Sequence, residues 1–121
     1  RFKAAVSESP VTDLISEYGS ADFALFDDLQ HPDDVPRMLE ISPYRLIHRN
    51  RAPLLLIQPD DDRRCPPGQT ELIFRILRER GVVTEMVRYP DESHDLSDAT
   101  RPDRRVDRLT RIVDWFTNHL A

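Results

Sequence analysis

The second half of the chain alternates between apolar and polar segments in an order that predicts a βαβα unit. Pro53–Ile57 is apolar over the length of a strand, which is typical of a strand buried on both faces of a parallel sheet. Gln69–Arg80 has apolar residues at helical spacing and is followed by Gly81, a residue that suits the end of a helix. Val82–Tyr89 predicts the next strand and Arg104–Leu120 a second amphipathic helix. This order favours parallel strands joined by right-handed crossovers.

Helical spacing also predicts which side of each helix faces the sheet. For the first helix the apolar side consists of Leu72, Ile73, Ile76 and Leu77. For the second helix it consists of Val106, Leu109, Val113, Phe116 and Leu120. We therefore expect these two sets to pack against the strands.

The first fifty residues are less regular. Phe2–Ser7 predicts a buried strand, and Gly19 and Ser20 predict a break in the segment that follows it. Short helices are expected over Ala21–Leu29 and Asp33–Leu39. Because natural domains rarely begin inside a strand, we expect the chain to be part of a longer protein.

Ser42 and Pro43 predict the start of a further short helix that continues to Ile47. A serine suits the N-cap, and a proline suits the first helical position because its missing N–H would be unpaired there.

Composition limits the classes of function. The 121 residues are enough for one domain, and 39% hydrophobic with 32% charged residues indicates a folded chain. A net charge of −5 argues against a nucleic acid or an anionic membrane as partner. Apolar runs are too short to span a membrane, and a single cysteine, Cys65, excludes an internal disulfide. A cytoplasmic location is the expectation.

Two polar loops follow the predicted strands of the second half. The first carries Asp60, Asp61 and Asp62, and the second carries His94. In a parallel α/β sheet, ligands and catalysis lie at the carboxyl ends of the strands. An acid after one strand and a histidine after the next follow the Ser, Asp, His order of the α/β-hydrolases. A buried carboxylate would orient the histidine, which would take the proton of a serine hydroxyl.

Several motifs carry a resemblance to one family. Residues 55–66 read LLIQPDDDRRCP, residues 89–94 read YPDESH, residues 1–6 read RFKAAV, and a Ser-Pro pair stands at residues 42–43. In order and spacing these segments resemble the prolyl oligopeptidase family of serine peptidases, and most closely its acylaminoacyl-peptidase and dipeptidyl-peptidase branches. The resemblance covers nearly the whole chain. It implies an α/β fold, a three-layer α/β-hydrolase-type parallel sheet.

The resemblance also implies roles for particular residues. Asp62 corresponds to the triad acid, His94 to the triad base, and Arg64 to an arginine that in some members holds the substrate backbone. It further implies peptide substrates, no cofactor and a β-propeller ahead of the catalytic domain. Gln58 and Pro59 stand where the family has His-Gly, and Asp95 stands where a glycine is common.

The nucleophile that such an enzyme needs is not found in these 121 residues. A Gly-x-Ser-x-Gly elbow would present the serine, yet the three glycines, Gly19, Gly68 and Gly81, form no such motif. We therefore expect residues 1–121 to be the C-terminal part of one α/β-hydrolase domain. The isolated chain is expected to be inactive and to self-associate through an exposed edge at Phe2–Ser7.

Other functions remain open on the sequence alone. The triad does not distinguish a peptidase from an esterase or other acyl hydrolase, and a non-catalytic partner-binding role is a third possibility. Arg64 could equally form a structural ion pair. Cys65 is interpreted as a packing residue and Ser93 as a loop residue. No metal site is expected, because consecutive acids such as Asp60–Asp62 point in different directions.

Overall fold

The computed structural model describes residues 2–23, 33–96 and 101–120. In chain order these residues form strand β1, helices α1 and α2, a 3-10 helix, strand β2, helix α3, strand β3 and helix α4. Their bounds are Ala5–Glu8, Leu14–Ser20, Asp34–Ile41, Pro43–Arg49, Leu54–Pro59, Pro67–Glu79, Thr84–Tyr89 and Pro102–Leu120. The predicted βαβα order of the second half is confirmed.

The three strands form a parallel sheet with β2 in the centre. β1 pairs with β2 from Ala5 opposite Leu54, and β2 pairs with β3 from Leu54 opposite Thr84. Every residue of β2 is buried, as expected for a strand that is covered on both faces. The carboxyl ends of β2 and β3 therefore lie at the same edge of the sheet.

Helices cover both faces of this sheet, which gives the predicted three layers. Successive residues of a strand point to opposite faces, so β2 contributes to two separate cores. On one face Leu54 and Leu56 pack with Ile73, Leu77 and Val82; on the other Leu55 and Ile57 pack with Ala4, Tyr89, Leu96 and Trp115.

Gly81 ends α3 as predicted. Its φ of 72° is a left-handed conformation that glycine adopts without steric cost. The turn is closed by hydrogen bonds from the Gly81 N–H to the Arg78 carbonyl and from the Val82 N–H to the Leu77 carbonyl, each 3.0 Å long. This turn directs the chain back toward the sheet at the start of β3.

The first part of the chain differs from its prediction. The first strand is shorter than Phe2–Ser7 suggested and begins only at Ala5, and its residues are partly buried or exposed where a buried strand was expected. Helix α1 includes Gly19 and ends at Ser20, so the predicted break corresponds to the end of this helix. A glycine in a helix costs only about 1 kcal/mol relative to alanine, which an anchored helix can tolerate. The Asp13 side chain caps this helix by accepting a hydrogen bond from the Ile15 N–H.

The two predicted short helices have different outcomes. The helix expected over Asp33–Leu39 is confirmed as α2, whereas most of the helix expected over 21–29 lies outside the described residues.

Ser42 links two helices instead of capping the next one. Its hydroxyl donates to the Met38 carbonyl over 2.7 Å and accepts from the Leu14 N–H over 3.0 Å. The side chain is therefore already engaged by α1 and α2. Pro43 does begin a helix, but of the 3-10 type.

Helix α4 packs through a different side from the one predicted. Val106, Leu109, Val113 and Leu120 are 47–65% exposed, whereas Trp115 is buried and Ile112 packs beside it. Of the predicted set, only Phe116 packs against the core. Polar contacts fix this rotation: the Tyr89 hydroxyl donates to Asp107 over 2.7 Å, and Arg108 pairs with Glu8 at the end of β1.

Among residues 2–23, 33–96 and 101–120, none of the helices combines the length with the apolar character that crossing a bilayer would require.

The rotation of α4 can be tested by truncating one residue on each side. We expect Trp115→Ala to lower the free energy of unfolding by about 3–5 kcal/mol, because it empties a core position. Leu109→Ala should change it by less than about 0.5 kcal/mol, because its side chain is exposed. Urea denaturation of both variants measures the difference. A cost for Leu109→Ala as large as that of a core leucine would contradict the observed rotation.

Candidate active site

The loops that follow β2 and β3 lie side by side at the carboxyl edge of the sheet. Two backbone hydrogen bonds join them, from the Asp60 N–H to the Tyr89 carbonyl and from the Asp61 N–H to the Glu92 carbonyl, 2.9 and 3.0 Å long. Between these bonds Asp91 has a φ of 61°, a left-handed conformation that aspartate adopts more readily than most residues. The chain therefore turns directly after β3.

Asp62 is the buried acid of the first loop. Its side chain is fully buried, and Oδ1 accepts hydrogen bonds from the backbone N–H groups of Arg64 and Cys65, 3.0 and 2.8 Å long. These bonds stabilise a carboxylate inside the protein and fix its orientation. The aspartate is held at this position by the loop itself.

His94 lies directly against Asp62. Its Nδ1 is 3.0 Å from Asp62 Oδ2 and 3.2 Å from Oδ1, and its side chain is 41% exposed. The contact that the resemblance implies is therefore present. An imidazole that donates through Nδ1 to a carboxylate keeps Nε2 as its proton acceptor. This pair can take a proton from a group in the open cleft and stabilise the imidazolium that forms.

The three consecutive aspartates have different surroundings. Asp60 forms an ion pair with Arg88, 2.6 Å between Oδ1 and Nε, and Arg88 also contacts Glu71. Asp61 is exposed, and Asp62 contacts His94. Within the described residues, no three His, Cys, Asp or Glu side chains gather into a group that could hold a metal ion.

Arg64 lies at the rim of the cleft that His94 enters. This cleft has a volume of about 220 Å³ and is also lined by Asp22, Asp61 and Ser93. The Arg64 Nε donates to Asp22 over 2.8 Å, and the guanidinium lies 5.2 Å from the centre of the Phe23 ring. The structural ion pair considered from the sequence is therefore present. Contact of Arg64 with a substrate stays a prediction.

Two glutamines hold the loops in place, a role that the sequence analysis assigned to neither of them. The buried Gln58 amide donates to the Cys65 carbonyl over 3.1 Å and accepts from the Thr70 hydroxyl. Gln69 binds the segment before α1, accepting from the Thr12 and Asp13 N–H groups at 2.8 and 2.7 Å. The only indication of these roles in the sequence is position: Gln58 stands at the end of a buried strand and Gln69 at the start of a helix.

Cys65 packs behind the Asp62 loop, as interpreted from the sequence. Its side chain is buried, and burial, with the nearby charges of Glu17 and Asp62, raises the pKa of its thiol to about 12. A thiol of this kind is almost wholly protonated near neutral pH and is a poor nucleophile.

Comparison with known proteins identifies the family. The model of the prolyl oligopeptidase family matches residues 1–121. The chain belongs to the prolyl oligopeptidase family. The uncharacterized peptidase YuxL of Bacillus subtilis (strain 168) is 36% identical over 125 residues, covering 99% of this chain and 19% of that protein. The human acylamino-acid-releasing enzyme is 30% identical over 131 residues, covering 99% of this chain and 18% of the enzyme.

Solved structures of this family have the same fold. An acylaminoacyl peptidase of Pyrococcus horikoshii superposes with a TM-score of 0.85 at 24% identity, over 98% of this chain and 20% of that one. A puromycin-hydrolyzing peptidase of Mycobacterium tuberculosis gives 0.84 at 27% identity, over 99% and 19%. The fold is thus that of the α/β-hydrolase peptidases, and relatives of the chain are serine peptidases. The chain spans about a fifth of their length.

Removing the Asp62 carboxylate should destabilise the loop. We expect Asp62→Ala to lower the free energy of unfolding by about 1–3 kcal/mol, because the N–H groups of Arg64 and Cys65 lose their acceptor. Asp62→Asn, which retains an acceptor oxygen, should cost less. The matched control is Asp61→Ala, which removes an exposed carboxylate and should stay within about 0.5 kcal/mol. Equal costs for Asp62→Ala and Asp61→Ala in chemical denaturation would contradict this account.

Proposed function

We propose that the protein containing this chain is a serine peptidase that hydrolyses short peptides, and that Asp62 and His94 are its triad acid and base. One observation carries the proposal: a fully buried carboxylate, held by two backbone N–H groups, contacts an imidazole that faces an open cleft. Membership of the prolyl oligopeptidase family supports the same reaction.

In the proposed mechanism His94 accepts the proton of a serine hydroxyl as the serine attacks the substrate carbonyl. Asp62 stabilises the imidazolium, which then gives its proton to the leaving amine. Water then attacks the acyl group on the serine, with His94 again accepting the proton, and the acyl group is released. The 121 residues contain no Gly-x-Ser-x-Gly motif, and in this fold the acid and base follow the nucleophile. We therefore infer that residues 1–121 are the C-terminal part of one catalytic domain.

Substrate class is inferred from the relatives. The human relative is an acylamino-acid-releasing enzyme, and a structural neighbour hydrolyses puromycin. Both activities favour small acylated or aminoacylated compounds as substrates over folded proteins. Arg64, beside His94 in the cleft, would hold the substrate backbone once it leaves Asp22. The same geometry would also serve an esterase, so amide and ester substrates need to be compared.

Activity of the whole protein tests the proposed roles. Asp62→Asn should lower kcat on an N-acylated peptide anilide by about 10⁴-fold, because the histidine loses its orienting carboxylate. His94→Ala should lower it by a comparable factor. His48→Ala provides the control, since His48 is exposed on the 3-10 helix and, within the described residues, its side chain hydrogen-bonds only to the Arg45 carbonyl.

The 121-residue chain alone should neither hydrolyse these substrates nor react with a fluorophosphonate probe. Stoichiometric labelling of the pure chain would contradict the inference that the nucleophilic serine lies outside these 121 residues. Retained activity of both variants in the whole protein would contradict the assignment of Asp62 and His94. Faster turnover of esters with no measurable turnover of amides would favour the esterase.

We also propose that the 121-residue chain self-associates along β1. This strand pairs with β2, and within the described residues its other edge has no partner strand. An apolar cleft of about 420 Å³ lies beside it, lined in part by Pro10, Val11 and Leu46. An unpaired strand edge beside apolar surface favours pairing with a second copy.

Light scattering of the isolated chain tests this association. We expect a dimer or larger species, and we expect Val6→Lys or Ala5→Lys to shift it toward monomer, because a buried charge opposes pairing at this strand. Val35→Lys on exposed α2 serves as the control and should leave the association unchanged. Circular dichroism confirms that each variant is folded. A wild-type chain that stays monomeric at high concentration would disprove the proposal.

A further inference from the structure

Glu17 is a buried carboxyl group that the proposed mechanism does not use. It lies in α1 and is only 1% exposed. Neither of its carboxyl oxygens has a hydrogen-bond partner among the described residues. An ionised carboxylate buried without partners is costly, whereas a protonated one is far less so. A buried acid of this kind therefore needs a physical explanation.

Helix α1 is fixed at both ends against the elements that build the active site. At its start, Gln69 of α3 accepts from the Asp13 N–H and donates to the Ser16 hydroxyl over 2.8 Å. At its end, the Asp22 N–H donates to the Arg63 carbonyl over 2.8 Å, next to Asp62 in the chain. Glu17 lies between these two contacts along α1, and its side chain is buried.

The charges around Glu17 are those of the active site. Burial raises the pKa of the Glu17 carboxyl group, the negative charges of Asp62 and Asp22 raise it further, and His94 lowers it. When it is ionised, Glu17 in turn contributes to the raised pKa of the Cys65 thiol. Glu17 is therefore within electrostatic range of the triad acid, the triad base and the thiol behind them.

We propose that Glu17 is a positioning residue of the active site: its buried carboxyl group stays uncharged and so places no second negative charge near Asp62 and His94. The catalytic part of this inference rests on the proposed function. When Glu17 ionises, a second negative charge develops beside Asp62. That charge has no partner, opposes burial of the loop, and competes with Asp62 for the positive charge of the imidazolium.

The sign of the pH dependence follows from the direction of the pKa shift. The pKa of Glu17 is higher in the folded chain than in the unfolded chain, so the folded state binds the proton more tightly. Its contribution to stability is therefore fully present below the ordinary glutamate pKa, and is lost as the pH rises through the raised value. A neutral replacement should abolish this loss.

The first experiment measures stability between about pH 4 and about pH 9 for wild type, Glu17→Gln and Glu17→Met. We expect both variants to gain unfolding midpoint relative to wild type as the pH rises. Glu40→Gln is the control, because Glu40 is exposed on α2 and should show no such gain. A drop in stability for both variants that is independent of pH would overturn the proposal, since it would indicate a purely structural glutamate.

The second experiment follows the Glu17 carboxyl carbon by 13C NMR during a pH titration of the 121-residue chain. We expect a midpoint above that of an ordinary glutamate, and we expect Asp62→Asn to lower it because a neighbouring negative charge is removed. Asp61→Asn, which removes an exposed charge, should leave it unchanged. A midpoint equal to that of an ordinary glutamate would overturn the proposal, and so would a midpoint that Asp62→Asn leaves unchanged.

The third experiment compares the pH profiles of kcat/KM in the whole protein. Glu17→Gln should match wild type within about twofold on the acid side, and the two profiles should diverge as the pH rises. Superimposable profiles would overturn the positioning role. Failure of the proposed function is distinguishable, because the stability and NMR measurements need no peptidase activity and would still report the coupling of Glu17 to Asp62.

Discussion

The whole structure depends on the complete burial of one strand. β2 pairs with a neighbour on each edge and is covered by helices on each face, so every one of its residues is inside. Such a strand can be stable only if all its backbone groups are paired and its side chains alternate between two cores. Its end is therefore fixed by pairing on both edges and packing on both faces, and Asp62 follows three residues later.

Buried polar side chains connect this strand to the loops. Gln58, at the end of β2, binds the backbone of Cys65 and the hydroxyl of Thr70, which connects the strand, the Asp62 loop and α3. Gln69 makes the same kind of connection between α3 and the segment before α1. Because each of these amides satisfies several partners at once, the loops are fixed by hydrogen bonds within a low-dielectric interior. The catalytic geometry thus depends on residues that take no part in the chemistry.

The sequence was most informative where one physical requirement determines a residue's type. A strand buried on both faces must be continuously apolar, and a left-handed helix end favours glycine, so β2 and Gly81 could be predicted. Asp62 and His94 could be brought together because the ends of parallel strands meet. The resemblance implied that His94 contacts Asp62, and neither Asp60 nor Asp61. The physical reason for this choice lies in the hydrogen-bond geometry of the folded loop.

Predictions failed where contacts distant in sequence outweigh local preference. The side of α4 that faces the sheet is set by Tyr89 and Glu8, which bind Asp107 and Arg108, and helical spacing cannot reveal either partner. Ser42 has the chemistry of an N-cap but serves α1 and α2. Glu17 gave no signal, because a glutamate in an amphipathic helix is ordinarily exposed.

The position of Asp62 and His94 within one β2–α3–β3 unit also bears on how the molecule folds. The two residues are 32 positions apart, and the intervening chain is a single crossover connection. The contacts that hold the start of α1 against α3 close a longer interval, because Thr12 and Gln69 are 57 positions apart. Contacts of shorter sequence separation cost less chain entropy to form. The acid–base pair thus belongs to the more local part of the fold, and helix α1, which carries the buried Glu17, to the less local part.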